Sequence, residues 1–193
     1  MTRAEASQRV RESIVEATVE IAAREGVAAI THRGVAKQAG VSLSSTTWHF
    51  ATKADILEAA LGWTAEHEVA RISEIAQRLD GTEFDPAAWA EELADWLIEQ
   101  LTVEREIAVA LYRLQVELLG SEGALAVHRE WGEGLLAVGE RVLERSPTQT
   151  PQLDVRLVVA ALDGLRMNVL NSGEQDIEWL RPAVRRQLEA LLG

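Results

Sequence analysis

Apolar residues recur at helical spacing along almost the whole chain. Nowhere do they alternate with the period of two that marks a half-buried strand, and no Asn-Gly hairpin signal interrupts them. An all-α fold of about nine helices is expected. The first, over residues 2–25, stacks Val10, Ile14, Ala17, Ile21 and Ala22 on one face and is followed by Gly26, a suitable stop. After an apolar link at residues 27–30, Thr31 can cap a short helix with Val35, Ala36 and Ala39 inward. Gly40 supplies a sharp turn, and Ser42 can cap a third short helix ending near Phe50. Thr52 and Asp55 form a capping box for a longer helix over 53–79. A break at 81–86 then leads to helices over 86–100, 104–119, 122–145, 152–170 and 176–192. This divides the chain into an N-terminal three-helix domain, 1–52, and a larger helical domain, 53–193.

At 193 residues and 47% hydrophobic composition, the chain can bury one sizeable core, or a small domain beside a larger one. It has no cysteine, which excludes disulfides, thiolate nucleophiles and cysteine zinc sites. No apolar run approaches the ~20 residues that span a bilayer, and the first residues carry no export-type apolar segment, so a cytoplasmic location is expected. The net charge of −12 argues against nucleic acid until it is resolved by segment. Residues 1–53 hold seven Lys and Arg against five Glu, a net +2, which leaves −14 for the remainder. No Asp or Glu occurs from Gly26 to Ala54, and both lysines, Lys37 and Lys53, lie in that window. On charge alone the window fits equally a surface that approaches an anion and a core-forming segment that lacks acids.

Residues 31–53, THRGVAKQAGVSLSSTTWHFATK, form two short helices joined by a Gly turn, the helix-turn-helix layout. With Val35, Ala36, Ala39, Val41 and Phe50 inward, the second helix turns Ser42, Ser44, Ser45, Thr47 and His49 outward. Short hydroxyl side chains let a helix sit deep in a major groove and bond to phosphates or base edges.

The segment resembles the N-terminal region of the TetR (tetracycline-repressor) family of bacterial regulators. The resemblance rests on Thr31, Arg33, Val35, Ala36, Ala39, Gly40, Val41, Ser42, Trp48, His49, Phe50 and Lys53, at family spacings over roughly residues 10–61. By position, it implies phosphate contacts from Thr31, His32 and Arg33. It implies base-edge or phosphate contacts from Ser42, Leu43, Ser44 and Ser45, backbone contacts from Thr47, Trp48 and His49, and a phosphate contact from Lys53. Two positions depart from the family pattern. Thr47 stands where Tyr is common, and Leu43 replaces a usual polar residue or Gly and can touch a thymine methyl. Plainer roles are also open, since Trp48 can pack on the first helix and Thr31 can serve only as a cap.

For the helical remainder, the resemblance implies an effector cavity near Trp63, Trp89, Trp96 and Trp131. These tryptophans suit an apolar or aromatic ligand. Gln115, on the stripe of Leu111 and Leu118, is either a polar anchor there or a satisfied core amide. His128 is a lone helix histidine, and no spacing in the chain suits a metal or other cofactor. The 152–170 helix is apolar nearly all round and so needs two partners. A two-fold dimer through Val155, Val159, Leu162, Gly164, Leu180, Val184 and Leu188 would supply the second, as the resemblance also implies. The resulting expectation is a repressor: a homodimer on palindromic double-stranded operator DNA, released by a small molecule. An enzyme is not expected, because Glu91, Glu92 and Asp95 read as a solvated face. The rival reading is a helical protein-interaction or dimerisation module without sequence-specific DNA binding.

Overall fold

The computed structural model describes residues 2–80 and 84–192. Of the expected 81–86 break, Gly81, Thr82 and Glu83 lie outside the described residues. Among those described there is no strand. The helices are α1 (Arg3–Arg24), α2 (His32–Ala39), α3 (Leu43–His49), α4 (Lys53–Arg78), α5 (Pro86–Thr102), α6 (Arg105–Glu117), α7 (Glu122–Leu143), α8 (Pro151–Ser172) and α9 (Leu180–Leu192), with a 3-10 turn at Val27–Ala29.

Local chemistry sets most of the boundaries. Thr2 and Glu5 form a reciprocal capping box at the start of α1, and Thr52 with Asp55 forms another ahead of α4. Asp85 caps α5 through the Ala87 N–H at 2.9 Å, with Pro86 in the first turn, where its missing N–H forfeits no helical bond. The start of α9 lies four residues later than the periodicity suggests. The Leu180 N–H instead closes a turn on the Ile177 carbonyl at 3.0 Å, and Pro182 falls in the first helical turn.

The chain forms two compact units. The first comprises Met1–His67 and Glu106–Glu130, the second Glu68–Arg105 and Trp131–Gly193. In the first, α1, α2 and α3 pack on one another, with Ile14, Ala22, Ile30, Val35, Phe50, Ile56 and Leu61 buried. Helix α6 is tied to the end of α1. The Arg113 guanidinium donates to the Ala22 and Ala23 carbonyls at 2.8 and 2.7 Å, where a cation also complements the helix dipole. Arg24 makes a two-pronged ion pair with Glu106, at 3.0 and 3.1 Å, and these hydrogen bonds hold the Glu106 carboxyl below its ordinary pKa. Both partners are exposed, so the pair orients more than it stabilises.

In the second unit α5 pairs most extensively with α9, and α8 packs on both. The core includes Leu93, Leu97, Leu180, Val184 and Leu188. Gly139 lets α7 pass close to α8, since a Cβ there would lie 2.5 Å from Val155 Cγ2. Within this apolar core Arg166 is buried. It donates to Glu68 at 2.7 Å and Gln100 at 2.6 Å through Nη1, and to half-exposed Asp163 at 2.7 Å through Nη2. Its guanidinium also lies 5.8 Å from the centre of the Trp96 ring.

Candidate nucleic-acid interface

Two glycines bracket α2 in conformations that other residues adopt at a cost. Gly26 ends the α1 turn with φ 88°, and Gly40 turns the chain from α2 toward α3 with φ 67° and ψ 27°. After Gly40 the Val41 N–H reaches back to the Ala36 carbonyl at 3.0 Å, sealing the end of α2. Thr31 Oγ1 accepts the Gly34 N–H at 3.0 Å, and Ser42 Oγ accepts the Ser45 N–H, also at 3.0 Å. Both expected caps are therefore formed.

Val35, Ala36 and Phe50 are buried as expected, whereas Ala39 and Val41 are half-buried at the rim. Thr46, a position the periodicity did not single out, is fully buried; its hydroxyl returns to the Ser42 carbonyl at 3.3 Å. Packing below α3 thus uses a polar residue whose hydrogen bond is made within its own helix. Arg11, on α1, lies 5.3 Å over the Phe50 ring and holds the end of α3 against α1.

Of the residues expected at DNA, Thr31 is exposed, Ser45 and His49 are half-buried, and the rest fall into two groups. Arg33, Ser42, Leu43, Ser44, Thr47 and Trp48 are exposed, as is Lys37, on the same face of α2 one turn beyond Arg33. Trp48 is 74% exposed and meets His49 edge to face, which excludes the alternative that it packs on α1. His32 and Lys53 are engaged with the protein. The His32 Nε2 lies 3.0 Å from the Phe50 carbonyl, at the end of α3, and the Lys53 Nζ donates to the Val27 carbonyl at 2.9 Å. Each braces the motif, and the Lys53 ammonium keeps two further N–H donors. Half-buried His49 has its pKa lowered, first by desolvation and then by the positive charge of Arg11.

Residues 14–60 match the family described as bacterial regulatory proteins of the tetR family. Residues 84–193 match the tetracyclin repressor-like C-terminal domain. The chain belongs to the TetR family. It is a DNA-binding helix-turn-helix transcriptional regulator with a C-terminal ligand-binding domain, and members of this family are regulators rather than enzymes.

Solved structures agree along nearly the whole chain. The multidrug binding protein EbrR, complexed with ethidium, is 30% identical, with 95% of this chain and 99% of that one covered and a TM-score of 0.71. A TetR-family member from Streptomyces coelicolor A3 is 29% identical, covering 95% and 98%, with a TM-score of 0.74. A transcriptional regulator from Rhodococcus sp. Rha1 is 25% identical, covering 94% and 95%, with a TM-score of 0.79. No curated protein matches the chain.

The residues expected at an effector are divided between the two units: Trp63, Leu111, Gln115 and Leu118 belong to the first, Trp89, Trp96 and Trp131 to the second. Leu111, Leu118 and Trp96 are buried, and the other four are half-buried. Trp63 stacks on His67 with ring centres 5.5 Å apart. The residues expected at a second subunit differ in exposure within the single chain. Val155, Leu162, Leu180, Val184 and Leu188 are buried in the chain's own core and have almost no surface to offer a partner. Val159 is half-buried and only Gly164 is exposed. The opposite side of α8 bears exposed Leu153, Leu157, Ala160 and Gly164. The Arg166, Glu68 and Gln100 cluster was missed in the sequence, although each of the three interrupts an apolar stripe on its helix.

Proposed function

We propose that this TetR-family regulator is a repressor, working in the cytoplasm as a homodimer on a palindromic operator that it leaves when a small aromatic effector binds. The observation that carries this reading is the outer face of α2 and α3. It joins Arg33 and Lys37 to a hydroxyl-rich, acid-free recognition helix. Phosphate contacts come from Arg33, Lys37 and Lys53, with hydroxyls of α3 and the N-cap region of α2 alongside. An exposed apolar row on α8, Leu153, Leu157, Ala160 and Gly164, supports a two-fold contact. A dimer presents two recognition helices to grooves one turn, ~34 Å, apart.

EbrR has been solved with ethidium, malachite green and proflavin, all planar or propeller-shaped aromatic cations. That precedent and the tryptophans at 63, 89, 96 and 131 support an aromatic effector for this chain, cationic by analogy. Release follows from differential affinity: an effector that binds best to a dimer with misplaced recognition helices shifts the population away from the operator-bound form.

The test is a titration of duplex DNA taken from beside the protein's own gene, at several salt concentrations. Affinity should fall steeply with salt, and Arg33→Ala should lower the log–log slope by about 2 for the dimer, one phosphate contact per protomer. Because ethidium intercalates into DNA by itself, the effector reading is checked on the DNA-free protein, whose melting temperature ethidium should raise. Absence of any binding at low salt would refute the operator reading, and indifference to ethidium, malachite green and proflavin together would refute the aromatic-cation effector.

A further inference from the structure

Helix α3 reads LSSTTWH and contains no Arg, Lys, Asn, Gln, Asp or Glu. It therefore lacks every side chain that pairs bidentately with a base edge. Its hydroxyls are already engaged. Ser42 Oγ is bonded to Ser44 Oγ at 2.9 Å and Ser45 Oγ at 2.8 Å, and Thr47 Oγ1 donates to the carbonyls of Leu43 and Ser44, both at 3.1 Å. A hydroxyl freed from such a bond can donate or accept, so it discriminates poorly among bases. Beyond hydroxyls and half-buried His49, what α3 offers is apolar. Leu43 and Trp48 are its two exposed large hydrophobics. Trp48 sits in the last turn, against His49. Leu43 is the first residue of the helix, and the N-terminal residues of a recognition helix are those that meet base edges.

Only one base feature in the major groove complements an exposed leucine, the C5 methyl of thymine. We propose that Leu43 is the specificity-determining residue of this regulator and that it reads one thymine methyl in each operator half-site. This rests on the operator-binding reading above. Selectivity then comes from excluding water between two apolar groups, with phosphate contacts from Arg33 and Lys37 supplying affinity and register.

The experiment selects duplexes from a randomised pool with the full-length protein, then replaces thymines one position at a time by deoxyuridine. Deoxyuridine keeps every hydrogen-bonding group of thymine and lacks only the methyl. At one position per half-site the replacement should weaken wild-type binding about fourfold, and about fifteenfold when made in both, the scale of one buried methyl each. Leu43→Ala is an exposed change to a good helix former and should fold normally. It should bind the thymine duplex as weakly as wild type binds the deoxyuridine one, and should ignore the replacement. Salt-dependent binding with no deoxyuridine effect, or an equal effect on wild type and Leu43→Ala, overturns the role of Leu43 and leaves operator binding standing. Failure to enrich any duplex overturns both.

Discussion

His49 carries a conflict that is visible atom by atom. It ends the recognition helix, where a cation would suit both the helix dipole and a phosphate, yet desolvation and the nearby Arg11 charge favour its neutral form. Between its lowered folded pKa and the ordinary 6.5, the unfolded chain binds more protons than the folded one. Its contribution to stability is therefore complete above 6.5 and declines as pH falls through that window. In an NMR titration His49 should ionise below 6.5, and Arg11→Gln should move its midpoint upward without fully restoring it, because the burial remains. A His49 midpoint unchanged by that substitution would mean that Arg11 does not set it. The caps at Thr31 and Ser42 were legible because capping is a short-range rule between a hydroxyl and an N–H three residues on. The engagement of His32 with the Phe50 carbonyl, 18 residues away, had no such local sign.

Helices were predictable where the forces that shape them act within a few turns. Capping residues, αL glycines and apolar stripes placed α1 to α4 closely, while the start of α9 moved because a turn at Ile177–Leu180 outcompeted the first helical bonds. What could not be read was the partner of each face. Helix α8 has apolar residues on two sides, and only packing reveals that Val155 and Leu162 belong to the chain's own core while Leu153 and Leu157 stay outside. Packing likewise converts Arg166 from an oddity on an apolar stripe into a junction between α4, α5 and α8. Arg166→Met leaves the buried Glu68 carboxylate without its principal cation and should cost about 3–5 kcal/mol, seen as a lower midpoint in urea unfolding. The double change Arg166→Met with Glu68→Leu should recover most of that loss, because no uncompensated charge remains in the core. Equal destabilisation by the single and double variants would assign the cost to packing volume instead.

For the molecule as a whole, the proposed dimer is what would make the DNA contact useful. Leu157 is exposed in the single chain, so Leu157→Glu should leave the fold intact while placing two like charges at the proposed two-fold contact. Light scattering should report half the wild-type mass, and operator affinity should fall by at least about a hundredfold, the scale of avidity lost when two half-site contacts are unlinked. A dimer that persists in Leu157→Glu would move the contact elsewhere. The −12 charge of the chain is compatible with DNA binding because it is unevenly distributed, +2 over residues 1–53 and −14 beyond. The helical class, the caps and turns of the helix-turn-helix, its acid-free face and its family resemblance were all legible in the chain before folding, since each depends on residues a few positions apart. Tertiary structure alone decided that residues 106–130 join the unit bearing that motif, with Arg113 closing the end of α1. It also decided which side of α8 is core and that Arg166 finds Glu68, 98 positions away. Such choices depend on which faces meet when distant segments exclude water together, a competition that local pattern does not encode.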